Sequence, residues 1–287
     1  MSSSSASSQI ILDIAHVYIV YAFTTVLIIG LVGNLCNIVI FICVKQFRKC
    51  SGAFYIIAES VADETVLLVG LVPRIVVEIF GFDPARILLI WCKLRIPFSQ
   101  WGTLLSLSAV NFATFDQYLS TSCDSRLREL STTKLAKYFI GIASIIWFLY
   151  NIPFFILYDI QISFGCLLKS VELSRYYSYF HLLVLYGLLP VFLTTTFSIL
   201  AYRNVRQIRR LQMTNIRRRL DRQLTAMILA RVAFLVLCLI PFIIQRFYVA
   251  NVQTNPKNDF RIAIEQLVGA INLSLSYLNV SVCLFLC

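Results

Sequence analysis

The sequence predicts an all-α membrane protein, a seven-transmembrane helix bundle with its N-terminus extracellular. The first observation is composition: 59% of the residues are hydrophobic and only 14% are charged, with a mean hydropathy of +0.80, which is too apolar for a soluble domain. The second is a series of seven apolar stretches, each long enough for the roughly 20 residues that cross a bilayer as a helix. Strand-like alternation is absent, and lipid accommodates only helices or closed barrels, so the stretches predict helices.

The predicted helices follow one another with short connections. They cover residues 17–44, 53–80, 89–119, 137–158, 177–202, 224–249 and 262–286. Residues 1–16 form a predicted extracellular N-terminal segment, and residues 17–287 form one seven-helix domain. Because residues 1–16 lack the basic start of a cleaved signal peptide, we expect the first helix to serve as its own signal anchor.

Basic residues predict the orientation. Most of the 25 lysines and arginines, with Arg231 counted among them, fall on the side that faces the cytoplasm when the N-terminus is outside, as the positive-inside rule requires. We therefore expect a multi-pass protein of the plasma membrane. The net charge of +11 then indicates contact with anionic membrane lipids, and we expect no nucleic acid as a partner.

Short motifs occur in a fixed order along the predicted helices. They are Gly33–Asn34 in the first helix, Asp63 in the second, Cys92 and "DQYLSTS" in the third, Trp147 in the fourth, Pro190 in the fifth and "CLIP", ending at Pro241, in the sixth. In order and spacing they resemble the rhodopsin-like (class A) G protein-coupled receptors, over almost the whole chain. The basic stretches "STSCDSRLRELSTTKLAK" and "RRLDRQLTAMIL" look like the cytoplasmic loops of FMRFamide-type and related invertebrate peptide receptors.

Two of the nine cysteines fall on the predicted outer face. Cys92 lies at the outer end of the third helix, and Cys166 lies in the loop between the fourth and fifth helices. Because the outer face is oxidising, we expect a disulfide that fixes this loop over the mouth of the third helix. The alternative is a pair of free thiols.

The acidic side chain of Asp63 falls in the middle of a predicted span, where an ionisable group needs a partner or an ion. By resemblance, Asn34, Ser106, Ser276 and Asn279 match the polar positions that surround a sodium ion in this family. The alternative is a purely structural hydrogen-bond network around a protonated Asp63. Glu59 and Glu64 lie close to Asp63 in the sequence, and the family pattern does not account for them.

The outer halves of the helices carry cations and aromatic residues that suit a peptide ligand. The candidates are Arg74, Phe98, Ser99, Trp101, Tyr179, Arg246 and Phe247. Ser99 stands where amine receptors of this family have an aspartate that pairs with the ligand ammonium, so a biogenic amine is disfavoured. The alternative is that the aromatic and basic residues only anchor the helices at the membrane interface.

The candidate residues for G protein coupling are Asp116, Gln117, Tyr118, Asp221, Pro241 and Asn279. Four positions in the cytoplasmic half of the chain depart from the family pattern. Gln117 stands where the family has an arginine that pairs with the preceding acid and with an acid at the foot of the sixth helix, so this contact loses its charge. Leu239 replaces a tryptophan, Ser198 replaces a tyrosine, and the helix-7 sequence "NVSVC" lacks the family's proline and tyrosine.

Two hypotheses about function follow. The first is a peptide-type receptor that still signals to a heterotrimeric G protein through its basic inner loops. The second is a receptor-like membrane protein that couples weakly or not at all: a decoy, a dimer partner or a degenerate copy. Enzymatic activity is not expected, since the sequence has no glycine-rich phosphate loop and only two histidines, and no cofactor other than the sodium ion is implied.

Overall fold

The computed structural model describes residues 3–44, 50–161, 165–168, 170–208, 215–252 and 259–281. Within these ranges the chain forms seven long helices. They are α1 (Ser3–Cys43), α2 (Ser51–Val66, Leu67–Leu71 and Val72–Phe80 in succession), α3 (Leu89–Ser120), α4 (Thr133–Leu157), α5 (Val171–Tyr176, Tyr177–Leu188 and Leu189–Ile208 in succession), α6 (Asn215–Asn251) and α7 (Asp259–Ser281). Leu67–Leu71 and Tyr177–Leu188 are π-helical.

Several helix bounds differ from the predicted ones. Helix α1 begins at Ser3, so most of the predicted extracellular segment 1–16 is helical. No proline or glycine precedes Gly30, and Ala15 is buried against the rest of the bundle, so nothing in the sequence ends the helix at residue 17. Helix α5 extends to Ile208 and α6 begins at Asn215, because basic residues are good helix formers outside the apolar core.

The all-α membrane bundle is confirmed, although its helices differ in hydropathy. Among the described residues, four helical segments are long and apolar enough to cross a membrane by length and composition: Ser7–Cys43, Thr133–Leu157, Glu172–Arg206 and Ala230–Val249. Helices α2, α3 and α7 carry buried polar side chains such as Glu59, Gln100 and Asn279, which lower their hydropathy. Their polar groups face the inside of the bundle rather than lipid.

Helix α3 lies at the centre and packs against α2, α4, α5 and α6. Its residues 104–110 are all buried, which is the pattern of a helix surrounded by others. Gly102 permits a close approach to α2, since a Cβ atom there would lie 3.1 Å from the carbonyl oxygen of Ala62. Small residues at such crossings let helix backbones approach within a membrane.

A β-hairpin and a disulfide cover one end of the bundle. Strands β1 (Tyr158–Gln161) and β2 (Gly165–Leu168) pair antiparallel, with Tyr158 opposite Leu168. The predicted disulfide between Cys92 and Cys166 is formed, with a Cα–Cα distance of 5.6 Å. It ties β2 to the first turn of α3, and we call this the disulfide end of the bundle.

Candidate functional site

A cavity of about 310 Å³ lies near the disulfide end, between α2, α3, α5, α6 and α7. Its polar lining includes arginines from three different helices: Arg74 of α2, Arg95 of α3 and Arg246 of α6. Tyrosines and apolar side chains complete the walls. The cavity can therefore surround a small polar or aromatic group with side chains from five helices.

Three of the predicted ligand residues line this cavity, namely Arg74, Ser99 and Arg246. Ser99 can approach α2 and α7 because Gly70 lies opposite it. A Cβ atom at Gly70 would lie 2.7 Å from Ser99 Oγ and 3.1 Å from the Tyr277 hydroxyl. Gly70 belongs to the π-helical segment of α2, so this segment brings three helices together at the cavity wall.

The other predicted ligand residues do not line it. Trp101 faces α4, where its Nε1 donates to the Ser144 carbonyl oxygen at 3.0 Å. Phe98 also faces α4, and its ring lies 5.5 Å from the ring of Phe155. Both residues sit on the α4 side of α3, away from the cavity, so packing between these two helices accounts for their positions.

Tyr179 and Phe247 also lie outside the cavity wall. The Tyr179 hydroxyl donates to Asn251 Oδ1 at 3.0 Å, between the ends of α5 and α6. Phe247 is half exposed on α6. The wall of α5 is instead formed by Tyr177, His181, Leu182 and Tyr186, and the three ring-bearing residues among them are spaced by four and then five residues. Such a spacing follows from the π-helical geometry of Tyr177–Leu188, in which hydrogen bonds join residues five apart.

Asp63 lies deeper in the bundle and is fully buried. Neither of its carboxylate oxygens has a hydrogen-bond partner within the described residues, and the same is true of Asn34 Oδ1. The Ser106 hydroxyl lies near the Asp63 carboxylate. Ser276 shares a hydrogen bond of 2.5 Å with the Tyr186 hydroxyl. Buried oxygens without a partner cost free energy. This region therefore offers oxygen atoms that could bind a proton or a hard cation.

A buried ion pair joins α2, α6 and α7 beside Asp63. Arg231 Nη2 donates to Glu59 Oε1 at 2.6 Å and Arg231 Nε donates to the same oxygen at 2.9 Å. Arg231 Nη1 also donates to Asn279 Oδ1 on α7. Arg231 is 7% exposed and Glu59 is 4% exposed, so water screens this pair very little.

The predictions from the sequence do not include this ion pair. The prediction that Arg231 lies with the cytoplasmic cations is wrong, because its side chain is buried and donates to Glu59 and Asn279 inside the bundle. Two signals were present in the sequence. Glu59 and Asp63 are four residues apart and therefore share one face of α2. Arg231 lies inside the predicted sixth span, where an ionisable residue marks a functional contact by default.

At the end of the bundle opposite the disulfide, Asp116 is held by serines. Ser51 Oγ donates to its Oδ2 at 2.6 Å, and Ser131 Oγ donates to its Oδ1 at 2.8 Å. Gln117 is buried, and the Tyr118 ring lies 6.1 Å from that of Phe197 on α5. Both oxygens of Asp116 are thus satisfied without an arginine.

The other residues predicted to bear on coupling lie on α5 and α6. Pro241 lies within α6, and the neighbouring Leu239 is fully buried against α3. Ser198 is buried on α5, with no hydrogen-bond partner for its hydroxyl among the described residues. The side chain of Asp221 lies outside the part of the chain whose side chains are described.

Comparison with known families gives one match. Residues 33–281 match the sequence model of the family described as "7 transmembrane receptor (rhodopsin family)". This match covers helices α2 to α7 and the last part of α1. A comparison with curated proteins found no match. The matching family consists of receptors rather than enzymes.

Proposed function

Because the chain belongs to the rhodopsin family of seven-transmembrane receptors, we propose that it binds a peptide-like extracellular ligand and signals to a heterotrimeric G protein. Members of this family are multi-pass proteins of the plasma membrane, and so is this chain. The observation that carries the proposal is the cavity at the disulfide end, which is lined by side chains of five helices. With the N-terminus outside, this end faces the extracellular medium and the Asp116 end faces the cytoplasm.

The buried ion pair supports signalling despite the loss of the arginine at position 117. In the family, as the resemblance implies, that arginine restrains helix 6 at its foot until the receptor is activated. Here the cation comes from α6 itself, since Arg231 holds this helix to Glu59 of α2 and Asn279 of α7. A contact of this kind gives α6 a defined resting position that an activating ligand must disrupt.

The direct test is G protein activation in cells that express the chain. We expect a dose-dependent response to at least one member of a peptide panel, and we expect a tag at Ser4 to be stained on intact cells. Cells that express an unrelated receptor from the same vector serve as control. A surface-expressed protein that activates no G protein with any peptide would favour the non-signalling alternative. Staining only after permeabilisation would show that the N-terminus faces the cytoplasm.

Position 117 offers a second test of the coupling mechanism. We expect Gln117→Arg to raise ligand-driven G protein activation, because it returns the guanidinium group that, as the resemblance implies, turns to the G protein in the active state of the family. The measurement is G protein activation normalised to surface expression, with Gln117→Glu as a matched change of charge in the opposite direction. An unchanged response from a correctly expressed arginine variant would contradict the role assigned to this position.

The sodium ion belongs to the same proposal. The buried oxygens of Asp63 and Asn34 fit a hard cation, and Ser106 and Ser276 lie on the neighbouring helices α3 and α7. Asp63, Asn34, Ser106 and Ser276 would hold the ion, which would neutralise buried negative charge. The nearby guanidinium of Arg231 already supplies one positive charge to this region, so binding should be weak in the native chain.

Removing Arg231 should therefore increase the stabilisation of the folded chain by sodium. We expect the melting temperature of purified Arg231→Leu to be about 2–4 °C higher in sodium chloride than in choline chloride at equal ionic strength. The native chain should show a smaller difference. Asp63→Asn in the Arg231→Leu background is the control and should remove it. If the native chain and the variant each melted at the same temperature in both salts, the proposal that sodium binds at Asp63 would be contradicted.

A further inference from the structure

We infer that the cavity at the disulfide end accepts a carboxylate group of the ligand, presented with an adjoining aromatic or apolar side chain. This inference rests on the proposed function only in taking the cavity as the ligand site. It also excludes a cationic, amidated Arg-Phe terminus, which is the ligand type that the resemblance to FMRFamide-type receptors would suggest.

The first step is the charge of the lining. Arg74, Arg95 and Arg246 contribute three guanidinium groups, and the described lining residues include no aspartate or glutamate. Like charges that face one small space repel one another, and the repulsion grows as water is excluded. An added cationic ligand would increase this repulsion, whereas an anionic group would relieve it.

The second step is that these arginines have few acidic partners. Within the described part of the chain, neither Arg74 nor Arg246 forms an ion pair with an acid. Arg246 Nε is buried without a hydrogen-bond partner, and its guanidinium lies 5.0 Å from the centre of the Phe242 ring. Arg95 lies 3.8 Å from Asp83, which is too far for a hydrogen bond.

Asp83 is moreover shared between two arginines. Its other oxygen lies 3.8 Å from Arg86 Nε, so this acid does not neutralise the three arginines of the cavity. A buried N–H group without an acceptor carries a desolvation cost. A carboxylate supplies acceptors in the planar geometry that guanidinium groups bind in pairs of parallel hydrogen bonds.

The third step concerns the rest of the lining. Gln100 is 5% exposed and lines the cavity, and its amide lies beside the phenols of Tyr158 and Tyr177. Neither amide atom makes a well-formed hydrogen bond within the described residues. The amide can therefore donate to and accept from a ligand, and the tyrosine rings offer flat surfaces to an aromatic side chain.

Size limits how much of the ligand enters. A volume of about 310 Å³ is at the lower end of small-molecule sites, so it holds one terminal or side-chain group rather than a whole peptide. Two sources of the carboxylate fit: a free carboxyl terminus and an acidic side chain. Both have the same chemistry, and matched probes separate them.

The experiment measures binding to the purified full chain in detergent by the shift in melting temperature. The probes are N-acetyl-phenylalanine, which has a free carboxylate, N-acetyl-phenylalaninamide, which is neutral and of nearly equal size, and N-acetyl-aspartic acid α-amide, which carries its only carboxylate on the side chain. We expect saturable stabilisation by N-acetyl-phenylalanine and at least about tenfold weaker binding of its amide. Preference for the aspartate probe would assign the site to an acidic side chain.

Variants locate the binding site. We expect Arg246→Gln and Arg74→Gln each to weaken N-acetyl-phenylalanine binding by about tenfold or more. Arg261→Gln is the matched control, because Arg261 lies at the same end, pairs with Glu265 and does not line the cavity. Arg74 is exposed, so its variant is expected to fold even if Arg246→Gln does not.

Three outcomes would overturn the inference: equal binding of the acid and its amide, no saturable binding of any acidic probe, or unchanged binding in both arginine variants. The binding assay contains no G protein. A chain that binds the acid but activates no G protein would therefore contradict the proposed function and support this inference. Activation by an amidated basic peptide, with no binding of acidic probes, would support the proposed function and contradict this inference.

Discussion

Replacing Arg231 alone with leucine should lower the stability of the folded chain by about 3–5 kcal/mol, because Glu59 would be left buried without its cation. Asp63, which lies in the same region, would lose a neighbouring positive charge as well. The double variant Arg231→Leu/Glu59→Leu should recover most of this loss. It removes both charges together and fills the space with apolar side chains of adequate volume.

The measurement is the apparent melting temperature of the detergent-purified chain, analysed as a double-mutant cycle. The pair of Arg261 and Glu265 is the matched control: it is also an arginine–glutamate pair, with an N–O distance of 3.0 Å, but it is partly exposed. Its replacement should leave the melting temperature nearly unchanged, since water and salt screen such a pair. The assignment would be contradicted if the single variant were as stable as the native chain, or if the double variant were no better than Arg231→Leu.

The same double variant has an expected effect on signalling. Helix α6 would no longer be tied to α2 and α7 by a charge-assisted contact, so active and resting positions of this helix would differ less in free energy. We expect basal G protein activation to rise relative to the native chain at equal surface expression. Unchanged basal activity in a stable double variant would show that the pair has only a structural role.

Removing the disulfide should have the second large effect. The bond between Cys92 and Cys166 closes a loop with a sequence separation of 74, and the chain-entropy model assigns about 4 kcal/mol to a closure of this size. We expect Cys92→Ser/Cys166→Ser to reach the cell surface in much smaller amounts and to melt at a lower temperature. Binding of N-acetyl-phenylalanine should weaken too, because β1 carries Tyr158, which lines the cavity.

Cys123→Ser is the control for this prediction. Cys123 is a free, exposed cysteine at the other end of the bundle, so its replacement should change neither expression nor melting temperature. A Cys92→Ser/Cys166→Ser variant that matched the native chain in surface expression and stability would contradict the structural role of the disulfide.

Hydropathy predicted the helices of the bundle, since each span needs a long apolar stretch in the sequence itself. The disulfide could be predicted because only Cys92 and Cys166 fall on the oxidising face. The start of α1 could not, because a serine-rich segment without a helix breaker fits both a coil and a helix. The pair of Glu59 and Arg231 could not either, because it depends on which faces of α2 and α6 meet across the bundle.

For the cavity, too, some residues could be predicted from the sequence, and others depend on the tertiary structure. Arg74, Ser99 and Arg246 could be placed at its wall from their positions along the helices, and the structure locates all three there. Tyr179 could not be placed in this way. Whether it reaches the wall depends on the helix geometry, and the described chain is π-helical from Tyr177 to Leu188.

That π-helical segment of α5 changes how distances along the sequence convert into directions in space. In an α-helix, nine residues make about two and a half turns, so Tyr186 would point away from Tyr177. Here both rings face the same cavity. Deleting a single residue between them would therefore do more than shorten the helix, because it would rotate one half of the aromatic wall out of the binding site.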